Sequence, residues 1–298
     1  MKEAYKLKIT RIIFRGPEFQ PEQEFMRIPV AEQHFDAENR KVFECQFDNL
    51  GEPENIVSWQ YDETGRLSIY TETDPGQEFS FREELHYRPD GKIEKKIIHY
   101  ADGSADREVY HYSKEGLLIE TRRITDDNEI EEINRWEYQG SHPVKEITEI
   151  PGEGVTSEKT MKYSPDGALI EKTEENEQGY SKTLYEYSPE GILIKTTVFD
   201  EDGGLVQEYE ILAWEGEKVL KAKEKAGNVP EKWIESAYDE QGRLIHEITT
   251  LSDGSLYSEI RREYNQQGRL SMQQIVTGPG YQSTPQYLRY EYIYEPLE

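Results

Sequence analysis

The chain has 298 residues, 61 of them acidic and 35 basic, for a formal net charge of −26. That balance leaves no basic footprint for nucleic acid and disfavours an anionic membrane surface. Hydrophobic residues at 35% and charged residues at 32% would suit a solvated chain, but 21 Tyr, 9 Phe and 4 Trp argue for folded structure with thin apolar layers.

Residues 1–34 open the chain. Lys6 to Phe14 reads as a β-strand ended by Arg15-Gly16-Pro17, and a loop with Pro17, Pro21 and Pro29 follows. The first residues, Met1 to Ile9, alternate and carry charge, without the apolar core of a cleaved signal. No stretch approaches the length of a transmembrane helix. The expected location is therefore cytoplasmic, or outside the cell by a route that uses no cleaved signal. This segment lies outside the repeat that follows. It reads as an N-terminal β cap, with 35–298 the repeat array and its capping strand. The single cysteine, Cys45, sits between Phe43 and Phe47 and reads as a small buried apolar residue. One cysteine allows no intramolecular disulfide.

From Phe35 onward an aromatic residue followed by a turn returns about every 25 residues. A period of this size sets the architecture. The anchors are Phe35, Tyr61, Tyr87, Tyr112, Tyr138, Tyr163, Tyr187, Trp214, Tyr238 and Tyr264, with Tyr292 closing the series. The clearest copies are Tyr61-Asp-Glu-Thr-Gly65-Arg66-Leu67 and Tyr238-Asp-Glu-Gln-Gly242-Arg243-Leu244. Tyr87 with Gly91, Tyr112 with Gly116, Tyr163 with Gly167, Tyr187 with Gly191, and Tyr264 with Gly268 and Leu270 keep the pattern. Phe35, Tyr138 and Trp214 head worn copies. In the best copy Asp62 and Gly65 make the turn, Tyr61 and Leu67 hold adjacent hairpins together, and Arg66 faces solvent.

Each unit carries a second turn further on, such as Asp48 to Gly51, Asp74-Pro75-Gly76, Asp200 to Gly204 and Gly278-Pro279-Gly280. Gly, Asn and Asp tolerate the backbone that tight hairpins need. Two turns per unit leave two segments rich in Thr, Ile, Val, Tyr and charged residues. The expectation is all-β: about ten antiparallel hairpins, about 20 strands. Large side chains two before the anchors, among them Trp59, Leu85, Tyr110 and Trp136, share the anchor's face. The far halves of the hairpins are polar on both faces. An elongated, curved or spiralling sheet with an aromatic stripe and wet edges follows. The final strand, Tyr287 to Tyr294, opens no further turn and is read as pairing with the last hairpin to cap the array.

The Tyr-Asp-x-x-Gly-Arg-Leu unit resembles the YD repeat of Rhs-type proteins, over roughly 35–294. The resemblance implies hairpins that spiral into a β-shell, in bacterial toxin, immunity or secretion systems, with some members binding carbohydrate or acting in adhesion. The array is short for a closed shell, the family's self-cleaving Asp-Pro motif has no counterpart, and no toxin domain is read after the repeats. The spacing is also similar to the MORN-like repeats of bacterial antitoxin proteins. The Asp-x-x-Gly-Arg form favours the YD type.

No catalytic, cofactor-binding or metal-binding residue is assigned. The six histidines, His34, His86, His99, His111, His142 and His246, show no ligand spacing. With 61 carboxylates, any acidic pair at glycosidase distance carries no weight. Asp126-Asp127 and Asp200-Glu201-Asp202 lack the ligand order of a calcium loop and read as acidic turns. The expectation is a non-enzymatic scaffold that binds another protein, a basic one fitting its charge, through an acidic elongated surface. Neither nucleic acid nor membrane is expected as a partner. A carbohydrate-binding adhesion module, with aromatics in a row on one face, is the alternative.

Overall fold

The computed structural model describes residues 3–76, 80–281 and 284–297. Met1 and Lys2 of the N-terminal reading, and Glu298, lie outside these. The chain divides into two compact units, Met1–Asn55 with Gln207–Glu298, and Ile56–Val206.

The first unit begins with β1 (Tyr5–Phe14), β2 (Glu24–Phe35) and β3 (Lys41–Phe47). It resumes with β16 (Leu205–Glu215), β17 (Lys218–Ala226), β18 (Lys232–Tyr238), β19 (Leu244–Leu251), β20 (Leu256–Tyr264), β21 (Leu270–Thr277) and β22 (Gln286–Pro296). The second unit is a meander of β4 (Pro53–Tyr61), β5 (Leu67–Thr73), β6 (Phe81–Tyr87), β7 (Ile93–Tyr100), β8 (Ala105–Tyr112) and β9 (Leu118–Ile124). It continues through β10 (Ile130–Gln139), β11 (His142–Ile150), β12 (Gly154–Tyr163), β13 (Leu169–Asn176), β14 (Gly179–Tyr187) and β15 (Leu193–Asp200). A 3-10 turn over Pro21–Gln23 is the one helical element among the described residues.

All 22 strands belong to one antiparallel sheet. β1 pairs along its length with β2, Tyr5 opposite Phe35, and with β22, Tyr5 opposite Pro296 and Phe14 opposite Tyr287. In the first unit the first strand of the chain thus pairs with the last, and neither is left as a free edge. This corrects the open, elongated array of ten hairpins and about 20 strands. The physical reason lies in the chain ends. β22 and β1 form an eleventh pair assembled from opposite ends of the sequence, and no strand edge is left with unpaired N–H and C=O groups there. Residues 1–34 therefore contribute two paired strands, and Pro29 lies within β2, not in a loop. Val30 is skipped between the pairs Ile9–Ala31 and Thr10–Pro29, a bulge that accommodates a residue without an N–H.

The repeat's turn follows from its residues. The Asp62 N–H donates to the Arg66 carbonyl at 2.8 Å and the Gly65 N–H to the Asp62 carbonyl at 2.9 Å. Gly65 has φ 83°, the left-handed region that closes a type I turn with a bulge. The pairing register shifts just before Tyr61 to absorb the extra residue. In the worn Phe35 copy Asn39 takes the same role at φ 66°. Residues 77–79, which follow the turn at Asp74-Pro75-Gly76 in the sequence, lie outside the described residues.

The buried apolar set is small. Ile12 is fully covered, and Leu7, Phe14, Ile28, Ala31, Cys45 and Ala222 are buried in the first unit. Val57, Ile98 and Ile133 are buried in the second. Burial also raises the Cys45 thiol above its ordinary pKa. Most other strand side chains are half-buried. Stability in such a sheet rests on cross-strand pairs more than on a central core.

Candidate functional site

The repeat anchors come together as a ladder of structural contacts. In the second unit the hydroxyls of Tyr87, Tyr112, Tyr138, Tyr163 and Tyr187 donate to the carbonyls of Leu67, Ile93, Leu118, Pro143 and Leu169, at 2.5 to 2.9 Å. In the first unit Tyr238, Tyr264 and Tyr294 donate to Val219, Leu244 and Leu270 at 2.9 to 3.1 Å. Each phenol thus reaches back to the preceding copy, to the residue that follows its turn. Burial raises the pKa of Tyr87, Tyr112, Tyr138 and Tyr163. The closing member is Tyr294, not Tyr292, because the longer connection before β22 shifts the spacing.

Arg66 does not simply face solvent. The Asp62 carboxylate accepts the Arg66 N–H at 2.9 Å and its guanidinium Nε at 2.8 Å. The guanidinium then lies 4.3 Å from the centre of the Tyr87 ring. Asp239, Arg243 and Tyr264 repeat the arrangement, with the cation 4.6 Å from the ring. The Thr64 hydroxyl first, and then the Arg66 N–H, hold the Asp62 carboxyl far below the usual carboxylate range. Arg269 lies 4.0 Å from the Tyr5 ring and 5.1 Å from that of Tyr294, so the clamp spans the β1–β22 seam. Sequence spacing marked the turn. The signal for the clamp was Arg directly after the turn Gly, with an aromatic one period on.

The row of exposed Tyr or Trp that a sugar-binding face would need is not what the second unit shows: its row of rings is half-buried and includes Phe81. Trp59, Tyr70, Phe81 and Tyr100 follow one another across β4 to β7 with ring centres 6.0, 6.2 and 6.2 Å apart. The successive rings are tilted by 65°, 69° and 55°. Edges meet faces, the packing aromatic rings prefer among themselves, and no flat platform is presented. The same face carries charge in ladders. Lys96 bridges Glu83 at 2.9 Å and Glu108 at 3.1 Å. Burial alone would lower the Lys96 ammonium, but these two carboxylates hold it above its ordinary value. Buried Asp106 accepts from the Tyr100 hydroxyl at 2.9 Å and pairs with Arg123 at 3.0 Å.

The histidines are scattered. His34 pairs with Glu32 at 2.7 Å and His246 with Glu259 at 2.9 Å, while His142 lies against the Tyr163 ring. Among the described residues no group of three or more His, Cys, Asp or Glu side chains is gathered to hold a metal ion. Asp200 accepts the Gly204 N–H at 2.7 Å and so serves its own turn. Among the described residues no helix is long and apolar enough to cross a membrane.

One concavity departs from the repeat. The segment from Arg15 to Gln23 joins β1 to β2 and lies against β20, β21 and β22 of the same unit. Its centre, Phe19, has φ 51°, an unusual backbone for an aromatic residue. The ring packs 5.2 Å from Phe14 and 6.3 Å from Tyr287. Arg289 donates to the Phe19 carbonyl at 2.9 Å and lies 4.9 and 5.8 Å from the Phe14 and Phe19 rings. Such over-determination holds strained backbone in place. Beneath the segment is a cleft of about 760 Å³, with Glu18, Phe19, Leu256, Glu259, Arg261, Val276, Tyr287 and Arg289 among its walls. Nothing in the sequence periodicity pointed to it, because one of its walls, Pro17 to Gln20, comes from the stretch outside the repeat.

No family model and no curated protein matches the chain. Solved structures do. The structure of TcdB2-TccC3-Cdc42 is similar at a TM-score of 0.49 and 15% identity, over 87% of this chain and 16% of that one. TcdB2-TccC3-TEV is similar at 0.37 and 16% identity, over 83% and 15%. A porin-like protein from Bacteroides uniformis is similar at 0.35 and 11% identity, over 97% and 96%.

Proposed function

We propose that the chain is a non-enzymatic binding protein that engages a basic protein through the acidic surface of its sheet. The observation that carries this reading is how the charges are spent. Many lysines and arginines are engaged in pairs across or along the strands, as Arg135 is with Glu120 and Glu149, and Lys159 with Glu146. With 61 carboxylates against 35 cations, the surplus stays on the surface. Glu153, Glu158, Glu175 and Glu177 gather around one shallow cleft of about 500 Å³, and among the described residues only Glu158 of these four enters an ion pair, to Lys145 at 3.0 Å. A surface of one sign steers an oppositely charged partner and sets its orientation.

The test is retention on the immobilised chain beside an immobilised protein of matched charge and size. Basic proteins held by the chain, absent from the control and released by salt, support the reading. No selective retention, or retention of neutral and acidic proteins alone, contradicts it.

A further inference from the structure

The second unit carries its charge unevenly. The turns that follow β6 and β8 lie at the same end of the meander, and cations outnumber carboxylates there. Arg88, Lys92 and Lys114 stand in these turns beside Asp90 and Glu115. Lys95, near the start of β7, adds a fourth cation, with His86 directly across from it on β6 and Val109 on β8. Arg88 pairs with Asp90 at 3.2 Å, and Lys92 donates to the Gly116 carbonyl at 2.8 Å. Lys95 and the exposed Lys114 enter no ion pair among the described residues. The carboxylates nearest on this face are already engaged, Glu84 by Arg82 and Glu120 by Arg122 and Arg135. Glu94 alternates to the opposite face. The acidic turns at the other end of these strands begin at Asp102, about 20 Å along the strand from Lys95, beyond the roughly 8 Å over which exposed charges act at physiological salt. A positive patch thus stands within a chain of net charge −26.

The cleft between β12 and β13 of the same unit has the opposite balance. Glu158 and Glu175 stand directly opposite each other in the ladder, an arrangement that costs stability unless a cation comes between them. Lys145 reaches Glu158, but among the described residues Glu153, Glu175 and Glu177 enter no ion pair. Val155, 58% exposed, adds an apolar wall. We infer that the patch around Lys95 and Lys114 of one copy seats on the cleft around Glu175 and Glu177 of a second copy. Each surface carries the charge that the other lacks, and every copy presents both. Repulsion between two acidic chains is screened at physiological salt, while the charges in contact are not. This goes beyond the binding role proposed above, since it uses the acidic cleft but needs no foreign protein.

Sedimentation velocity of the full chain over a range of concentrations at about 0.15 M salt tests it. The chain is expected to associate, and less so as salt is raised. Lys95→Glu with Lys114→Glu, and separately Glu175→Lys with Glu177→Lys, should each raise the dissociation constant roughly tenfold or more. None of these four substitutions breaks an ion pair within a copy. An equal mixture of the two variants should associate again, because the reversed patch of one then faces the reversed cleft of the other. If a reversed variant does not fold, Lys95→Gln with Lys114→Gln takes its place and should weaken association severalfold. A chain that stays monomeric up to about 0.1 mM overturns the inference. So does association that survives both reversals, or a mixture that regains none. The two proposals fail separately. If the chain is monomeric yet retains basic proteins when immobilised, this contact falls and the binding role stands. If the mixture regains association but no basic protein is retained, the binding role falls and this contact stands.

Discussion

Tyr112→Phe removes one rung of the hydroxyl ladder and little else. The Tyr112 hydroxyl donates to the Ile93 carbonyl at 2.8 Å. The ring that remains keeps its contacts with Arg88 and Lys92, whose cations lie 5.2 and 5.4 Å from its centre. A hydrogen bond of this kind has a net worth of about 1 kcal/mol, and the half-buried site lets water reach the orphaned carbonyl, so the cost stays near that figure. For 298 residues the unfolding entropy is roughly 0.6 kcal/mol per kelvin, and the melting temperature falls by only about 2 °C. Urea denaturation followed by circular dichroism resolves the change better. Tyr112, Tyr163 and Tyr264 share no partners, so the triple Phe variant should lose about 3 kcal/mol. Tyr281, 56% exposed, supplies the control, and Tyr281→Phe should be neutral within about 0.3 kcal/mol. A triple variant within about 0.5 kcal/mol of the parent would refute the ladder.

Arg66 and Tyr87 should couple by about 0.5–1 kcal/mol in a double-mutant cycle of urea midpoints, and no coupling would dissolve the clamp. Gly191 has φ 83° with nothing within 4 Å of an added Cβ, so Gly191→Ala should cost about 1 kcal/mol from backbone strain alone, with Gly191→Asn milder. Lys162 and then Lys182 lower the Glu171 pKa, and hydrogen bonds from Arg122 and Arg135 lower that of Glu120 against its burial. The unfolded chain binds those protons first, so their stabilisation is present above about pH 4.5 and is lost as pH falls further. Burial raises the pKa of Tyr100 and Tyr112, and raises that of Tyr110 with help from Glu108. Their stabilisation is present below about pH 10 and is lost as pH rises through the higher folded values. A pH series of urea midpoints should fall at both ends.

Strand pairing within the repeat was legible because its chemistry is local. Asp62 and Gly65 need only each other to turn the chain, and the same spacing returned in copy after copy. The role of Arg66 was less legible, since its stacking partner Tyr87 lies one period away and belongs to the next motif. The seam between β1 and β22 was not legible at all. β1 pairs with β22 across nearly the whole sequence, and nothing in the alternation of Lys6 to Phe14 marks its partner. Pro29 also pointed away from a strand, because a bulge is invisible without the register. The cleft stayed hidden for a related reason: Phe19 meets Tyr287 and Arg289 only once the seam has formed.

Pairing of β1 with β22 is the contact that joins the two ends of the chain in the first unit. Hydrogen exchange on the amides of Tyr5–Phe14 and Gln286–Pro296 tests it most directly, read against the central strands β7 and β20. With the seam formed, amides on both sides of it exchange as slowly as those of β7 and β20. Rapid exchange of the β22-facing amides of β1, together with the β1-facing amides of β22, would mean that the two ends of the chain do not pair.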